Sequence, residues 1–238
     1  VDFFREEGKK EFFRVNSREQ GAMLLDRNQG MVDRIFLMEG YTPLGLSRFI
    51  PPMSTWERTC DLMNAKYRIV VDRGKGTMTM AGASGYAPRA FVVHASYVAA
   101  SPDEAKARIS DPSFDPMTEA VFEAAPPVVY DDSSRHRSGV TIDSYRLNQI
   151  RMTAVTEADG YLVLSEVWYP GWKAYVDGVE TPVLRADWCL RALPITAGRH
   201  AVTMEFSPSG FRTGAWVSSL TLVLSIAGAY YRRKKENA

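Results

Sequence analysis

The chain has 238 residues, 45% hydrophobic, 24% charged and 11% aromatic, which suffices for one large domain or two modest ones with real cores. Its 29 Lys and Arg nearly balance 28 Asp and Glu, and the basic excess lies at the end. There Arg232, Arg233, Lys234 and Lys235 face only Glu236, so the rest holds 25 basic and 27 acidic residues. No basic face of the kind phosphate neutralisation demands is present, which excludes nucleic acid as a partner. Cys60 and Cys189 fit no metal spacing, and His94, His136 and His200 are scattered, so neither a metal nor a cofactor is expected. The two cysteines read as buried free thiols, or as a disulfide if the domain lies outside the cytoplasm.

In chain order, the opening "VDFFREEGKKEFF" is too charged for the apolar core of a signal peptide. "EFFRV" reads as a strand, and the Gly- and Pro-rich "GYTPLGLSRFIPP" as a loop that Pro51-Pro52 keeps from being helical. A helix follows from about Ser54, then a strand from Lys66 to Val71, a glycine-rich hairpin and a strand from Arg89. The "GKG" at Gly74–Gly76 lacks the spacing and the following helix of a phosphate-binding loop. "SPDEAKARIS" carries its own start signal: Ser101 caps, Pro102 takes the first helical position and Glu104 completes a capping box.

After "DPSFDP" the hydrophobic period becomes two. Strands are expected at Thr118–Ala124, Pro127–Tyr130, Gly139–Leu147, Gln149–Glu157, Tyr161–Trp168, Trp172–Val176, Val183–Trp188, Cys189–Leu193 and His200–Phe206. Their separators "EADG", "YPG", "VDGVET" and "TAG" are turn-formers, and so many short strands imply a sandwich or jelly roll. Asp177 belongs to an Asp-Gly hairpin turn.

"SEVWYPGWKAYVDG" concentrates Trp168, Tyr169, Trp172 and Tyr175 within this pattern. Alternation sets Tyr161, Val163, Ser165 and Val167 on one face and Leu162, Leu164, Glu166 and Trp168 on the other. Trp172 shares a face with Ala174 and Val176 and is expected in the core. Packing is the first use of these aromatics. A platform for a sugar ring is the second, with Trp168, Tyr169 and Trp188 as stacking surfaces and Glu166, Lys173 and Arg185 as polar contacts. Paired carboxylates of hydrolytic type, such as Glu166 with a partner, are not evident.

From Thr213 to Tyr231 the chain carries no charge, and as a helix that stretch matches a bilayer's hydrocarbon core. Trp216 stands near one end, Tyr230 and Tyr231 at the other, and the basic cluster follows at once. The expectation is a single membrane span with residues 232–238 as a cytoplasmic tail and the globular part on the opposite side. Export of that part then depends on a segment upstream of Val1.

"LVLSEVWYPGWKAYVDG", "LRADWCLRALPITAGRHAVTMEF" and the apolar segment with its basic tail resemble the C-terminal part of the YfhO family of bacterial membrane proteins. "MEGYTPLGLSRF", "DLMNAKYRIVVD", "APRAFVV" and "DPSFDPMTEAVFE" extend the resemblance over nearly the whole chain. It implies a polytopic parent similar to GT-C glycosyltransferases, which use polyprenyl-phosphate-linked sugars at the extracytoplasmic face to glycosylate cell-envelope polymers. The early loop holding the catalytic acid of that architecture is not in this chain, so no catalytic residue carries over.

The expected fold is α+β: a mixed α/β region (1–115), an antiparallel, jelly-roll-like β-sandwich (116–210), one transmembrane helix (211–231) and a basic tail (232–238). The expected role is an extracytoplasmic accessory domain of a membrane-embedded transferase. Its partners would be upstream membrane helices, the bilayer, and a glycan or polyprenyl-phosphate sugar. The alternatives are a non-catalytic carbohydrate-binding or structural module of the envelope and a self-contained glycoside hydrolase.

Overall fold

The computed structural model describes residues 1–19, 21–26, 28–40, 45–134 and 136–236, with the side chains at 209, 212, 230, 231 and 234–236 excepted. The "YTPL" part of the "MEGYTPLGLSRF" motif lies outside the described residues, as do the side chains of the Tyr230–Tyr231 pair. Helix α1 (Asp2–Glu7) leads into β1 (Arg14–Asn16), the small hairpin β2 (Arg18–Glu19) and β3 (Ala22–Met23), and α2 (Gln29–Asp33). Helix α3 (Trp56–Leu62) begins at Thr55, whose side chain accepts the Arg58 N–H at 3.2 Å. β4 (Ala65–Asp72) and β5 (Thr77–Gly82) form a hairpin, and β1 adds to β4 in parallel.

Then come β6 (Ala90–Val93), β7 (Ala95–Val98) and α4 (Pro102–Ser110). Ser101 caps α4 by accepting the Glu104 N–H at 3.2 Å, and the Glu104 carboxylate accepts from the Ala100 N–H at 2.8 Å, one residue before the expected capping-box partner. The remaining strands are β8 (Glu119–Phe122), β9 (Ser138–Arg146), β10 (Gln149–Thr156), β11 (Gly160–Val167), β12 (Trp172–Val176), β13 (Val179–Thr181), β14 (Leu184–Ala186), β15 (Leu190–Ile195) and β16 (Gly198–Phe206), before the long helix α5 (Ser209–Glu236). The strand expected at Pro127–Tyr130 does not form. Pro126 and Pro127 lack the N–H a ladder needs, and Tyr130 instead bonds the Ser96 side chain at 2.9 Å.

Two sheets stack. One is five-stranded and antiparallel, in the order β13-β12-β16-β10-β9; the other is six-stranded, in the order β6-β11-β15-β14-β8-β7. The second is not purely antiparallel, because β7 and β8 run parallel. It takes β6 and β7 from before residue 115 as its two edge strands, flanking four strands from after it. Between the sheets lies a core of Ala90, Val92, Ile150, Met152, Leu162, Leu164, Leu193 and Met204. The far face of the six-stranded sheet packs Tyr161, Val163, Leu190 and Ala192 on Leu62, Ile109 and Phe114 from α3, α4 and the following turn.

The interior strand β11 is therefore buried on both sides, with alternate residues feeding two different cores. It approaches its neighbour closely at Gly160, where a Cβ would fall 2.2 Å from the Val93 carbonyl. Cys60 and Cys189 are buried free thiols.

The hairpin β12–β13 turns through Asp177 (φ 51°) and Gly178 (φ 83°), as the Asp-Gly pair requires. β14–β15 turns through Asp187 (φ 46°) and Trp188 (φ 76°), so these two residues leave the strand expected to include them. The segment expected to span a membrane is helical throughout. Among the described residues, however, no helix is long and apolar enough to cross a membrane. Ser218, Ser219, Thr221 and Ser225 dilute its apolar content.

Candidate functional site

The end of β11 and the β14–β15 turn bring three of the six expected site residues onto one ridge. Trp168 is half-buried, and its indole N–H donates to the Val183 carbonyl at 3.2 Å. The Arg185 guanidinium lies 5.6 Å from the centre of the Trp168 ring and 3.8 Å from Glu123. Glu123 also binds Arg48, which stacks 3.8 Å over the ring of Trp188. The result is a ladder of indole, guanidinium, carboxylate, guanidinium and indole along Trp168, Arg185, Glu123, Arg48 and Trp188. Each guanidinium sits against a ring face, where the π-quadrupole attracts a cation. Such a surface offers ring edges and charged donors to a hydroxyl-rich ligand.

Trp188 holds its place on a left-handed backbone that disfavours a bulky residue. The conformation is fixed by its neighbour. The Asp187 N–H donates to the Val121 carbonyl, and Asp187 Oδ1 accepts the Val121 N–H, both at 2.8 Å. Asp187 is fully buried, and desolvation pushes its carboxyl up to about 7.

The other candidates do not join the ridge. Tyr169 is exposed, 6.2 Å from the Phe206 ring, and Lys173 is on β12, ion-paired with Glu180 at 3.0 Å. Trp172 is half-buried rather than sealed in the core, with Arg191 stacked 3.9 Å over it.

Glu166 is not a surface contact at all. It is buried where the N-terminal region meets the two sheets. Its Oε1 accepts from Arg89 Nε at 2.8 Å and from the Tyr145 hydroxyl at 2.7 Å, and its Oε2 faces Arg14 Nη2 at 3.4 Å. Arg14 further donates to the Met63 carbonyl at 2.9 Å and to Ser165 Oγ at 3.0 Å. Arg191 donates to the Val167 carbonyl at 3.0 Å. Burial alone would raise the Glu166 carboxyl, but Arg89, Arg14 and the Tyr145 hydrogen bond outweigh it and bring it to about 2. A general acid needs the opposite shift, so Glu166 cannot serve the hydrolase reading as its proton donor.

Arg48 and Glu123 of the ridge, and Arg14, Arg89 and Arg191 of the buried node, were not evident from the sequence. Arg191 had a readable signal: it lies in phase with Leu193 and Ile195 on a strand that is otherwise apolar. Arg48 comes from a loop with no periodicity, so nothing local marked it.

The fold is thus a β-rich α+β region built on two stacked open sheets and followed by a long exposed helix. Residues 130–218 match the model of the family described as bacterial membrane protein YfhO. The match covers most of the two sheets and the beginning of α5; it supports a YfhO-family fragment and, with it, association with a bacterial membrane. No curated protein and no solved structure matches the chain.

Proposed function

We propose that this chain is the extracytoplasmic accessory region of a membrane-embedded, YfhO-like glycosyltransferase acting on cell-envelope glycans with a polyprenyl-phosphate sugar donor. α5 is its membrane anchor, upstream membrane helices carry the chemistry, and the Trp168–Trp188 ridge meets the glycan. The observation that carries the reading is the surface of α5. Trp216 is 76% exposed, and Val217, Leu220, Leu222, Val223, Leu224 and Ile226 are exposed to about the same extent as one another. At 100° per residue those positions cover more than half of the helix circumference and leave one narrower face with Ser218, Thr221 and Ser225, a broad apolar surface that suits contact with lipid. Thr221 returns its hydroxyl to the Val217 carbonyl at 2.9 Å, which suits an apolar medium. The basic cluster at 232–235 then marks the cytoplasmic end.

Protease added to intact spheroplasts should digest the globular part and spare the C-terminal tail. Digestion only after lysis would sink this topology. At the ridge, Trp168→Ala and Trp188→Ala should each abolish NMR shifts induced in the detergent-solubilised chain by envelope oligosaccharides at about millimolar concentration, the range expected of shallow sugar sites. Unchanged shifts in both variants would leave the structural-module reading, which the guanidinium cover on both indoles favours.

A further inference from the structure

An apolar part of the surface is used by neither the ridge nor the buried node. An open groove of about 990 Å³ runs between the segment around α2 and the turn joining β9 to β10. Met31, Phe36, Leu46, Phe49 and Leu147 line it, and all five are exposed. Leu147 is 96% exposed and Met31 84%, so no described residue covers either. Isolated exposed apolar side chains are ordinary, but five that share one groove make a surface suited to an apolar partner.

Its place in the fold points to the kind of partner. Leu147 and Asn148 form the β9–β10 turn, and the Asn148 carbonyl accepts the Phe206 N–H at 2.9 Å, just before α5 begins at Ser209. The Phe36 ring, 5.3 Å from that of Tyr145, holds the groove against the same end of β9. Exposed Tyr169, 6.2 Å from the Phe206 ring, stands at that end too, and tyrosine favours a membrane interface. The uncharged stretch of α5 starts at Thr213, about 6 Å of helix beyond Ser209. The groove and the start of that stretch therefore share one end of the sandwich. Charge agrees with this placement. Exposed Arg34 belongs to the groove wall and exposed Arg146 precedes Leu147, while Glu39, the acid of the wall, is paired with Arg18 at 3.7 Å.

We infer that this groove rests on the lipid surface beside α5. Met31, Leu46, Phe49 and Leu147 enter the boundary between headgroups and acyl chains, about 5–10 Å deep, and Arg34 and Arg146 meet lipid phosphates. This contact rests on the anchoring reading of α5, which sets the side of the molecule that faces the bilayer. It gives the chain a second point of attachment and so fixes how the sandwich stands over the membrane.

The test is fluorescence quenching on the full chain reconstituted in vesicles of phosphatidylcholine and phosphatidylglycerol. A polarity-sensitive NBD label is placed on Leu147→Cys, Met31→Cys, Val155→Cys or Val223→Cys, one per chain. All four side chains are exposed, so the changes should leave the fold intact, and the native Cys60 and Cys189 are buried away from the label. Val155 is the distant control, about 20 Å along β10 from Gln149 beside the turn. Labels at 147 and 31 should shift to the blue, lose most of their emission to lipid carrying a shallow doxyl group, and be protected from aqueous iodide. The label at 155 should behave in the opposite way. A label at 147 or 31 that iodide reaches and doxyl lipid does not would overturn the inference. So would labels shielded from both quenchers, which would put protein in the groove. The label at 223 tests the anchor separately. Quenching by lipid there but not at 147 and 31 would sink the groove contact alone, and the converse would sink the anchor alone.

Discussion

Asp187 is the residue at which burial and titration meet. Its carboxyl is raised from 3.8 to about 7 by desolvation, so the folded chain holds a proton there that the unfolded chain releases. A carboxyl whose folded value lies above its unfolded one favours folding at low pH, and that contribution falls as pH rises from 3.8 to about 7. Asp187→Asn keeps an oxygen for the Val121 N–H and tolerates the left-handed turn. The variant should be more stable than wild type by about 1–3 kcal/mol at around pH 8 and should lose that advantage near pH 3. Urea denaturation midpoints at the two pH values check it, and a constant difference would refute it. In the sequence, Asp187 was one more carboxylate in an aromatic hairpin. The turn that buries it has no Asn-Gly or Asp-Gly signature, so neither its backbone nor its burial was legible.

At the scale of elements, what could be read was what a short window contains. Thr55 and Ser101 cap the helices near where their sequences indicate, and Asp177-Gly178 turns the hairpin it marks. The alternation along β11 gave both faces correctly, yet it could not say that each face has its own core, because that depends on which sheet covers it. The parallel pairing of β7 with β8 was equally hidden, since α4 and a turn separate two strands with no pattern in common. α5 is separable from these elements. β16 is complete at Phe206, and among the described residues no core residue comes from the helix. A chain stopped after Pro208 should keep the wild-type thermal midpoint to within about 0.5 kcal/mol equivalent and lose sedimentation with membranes after carbonate washing. A large drop in midpoint would show that α5 packs on the sheets; continued sedimentation would place the membrane contact elsewhere.

Across the whole molecule, the Glu166 node ties the N-terminal region to the sandwich. Arg14 comes from β1, Arg89 from the approach to β6, Tyr145 from β9, Glu166 from β11 and Arg191 from β15. Glu166→Gln would leave three buried guanidiniums without their carboxylate and should cost about 3–5 kcal/mol at neutral pH. The loss should shrink as pH falls from 4.5 towards about 2, because the depressed carboxyl stabilises the fold only where it stays ionised. Denaturant titration with separate probes in the N-terminal region and the sandwich should show one transition in wild type and two in the variant; a single unshifted transition would refute the linking role. The node was misread in the sequence: Glu166 lies in phase with Leu162 and Leu164, which fits an inward carboxylate, yet its aromatic setting made it read as a sugar contact. Its partners were not legible, because Arg89 and Arg14 are 77 and 152 residues away along the chain.

That last separation sets a clock on biosynthesis. At about 5–20 residues per second, roughly 8–30 s pass between the emergence of Arg14 and that of Glu166. Until then Arg14 has no carboxylate to join, although β1 can already pair with β4 and Arg14 can already donate to the Met63 carbonyl. The N-terminal layer can therefore assemble early on its own pairings, and its charged tie to the sandwich closes only once β11 is made.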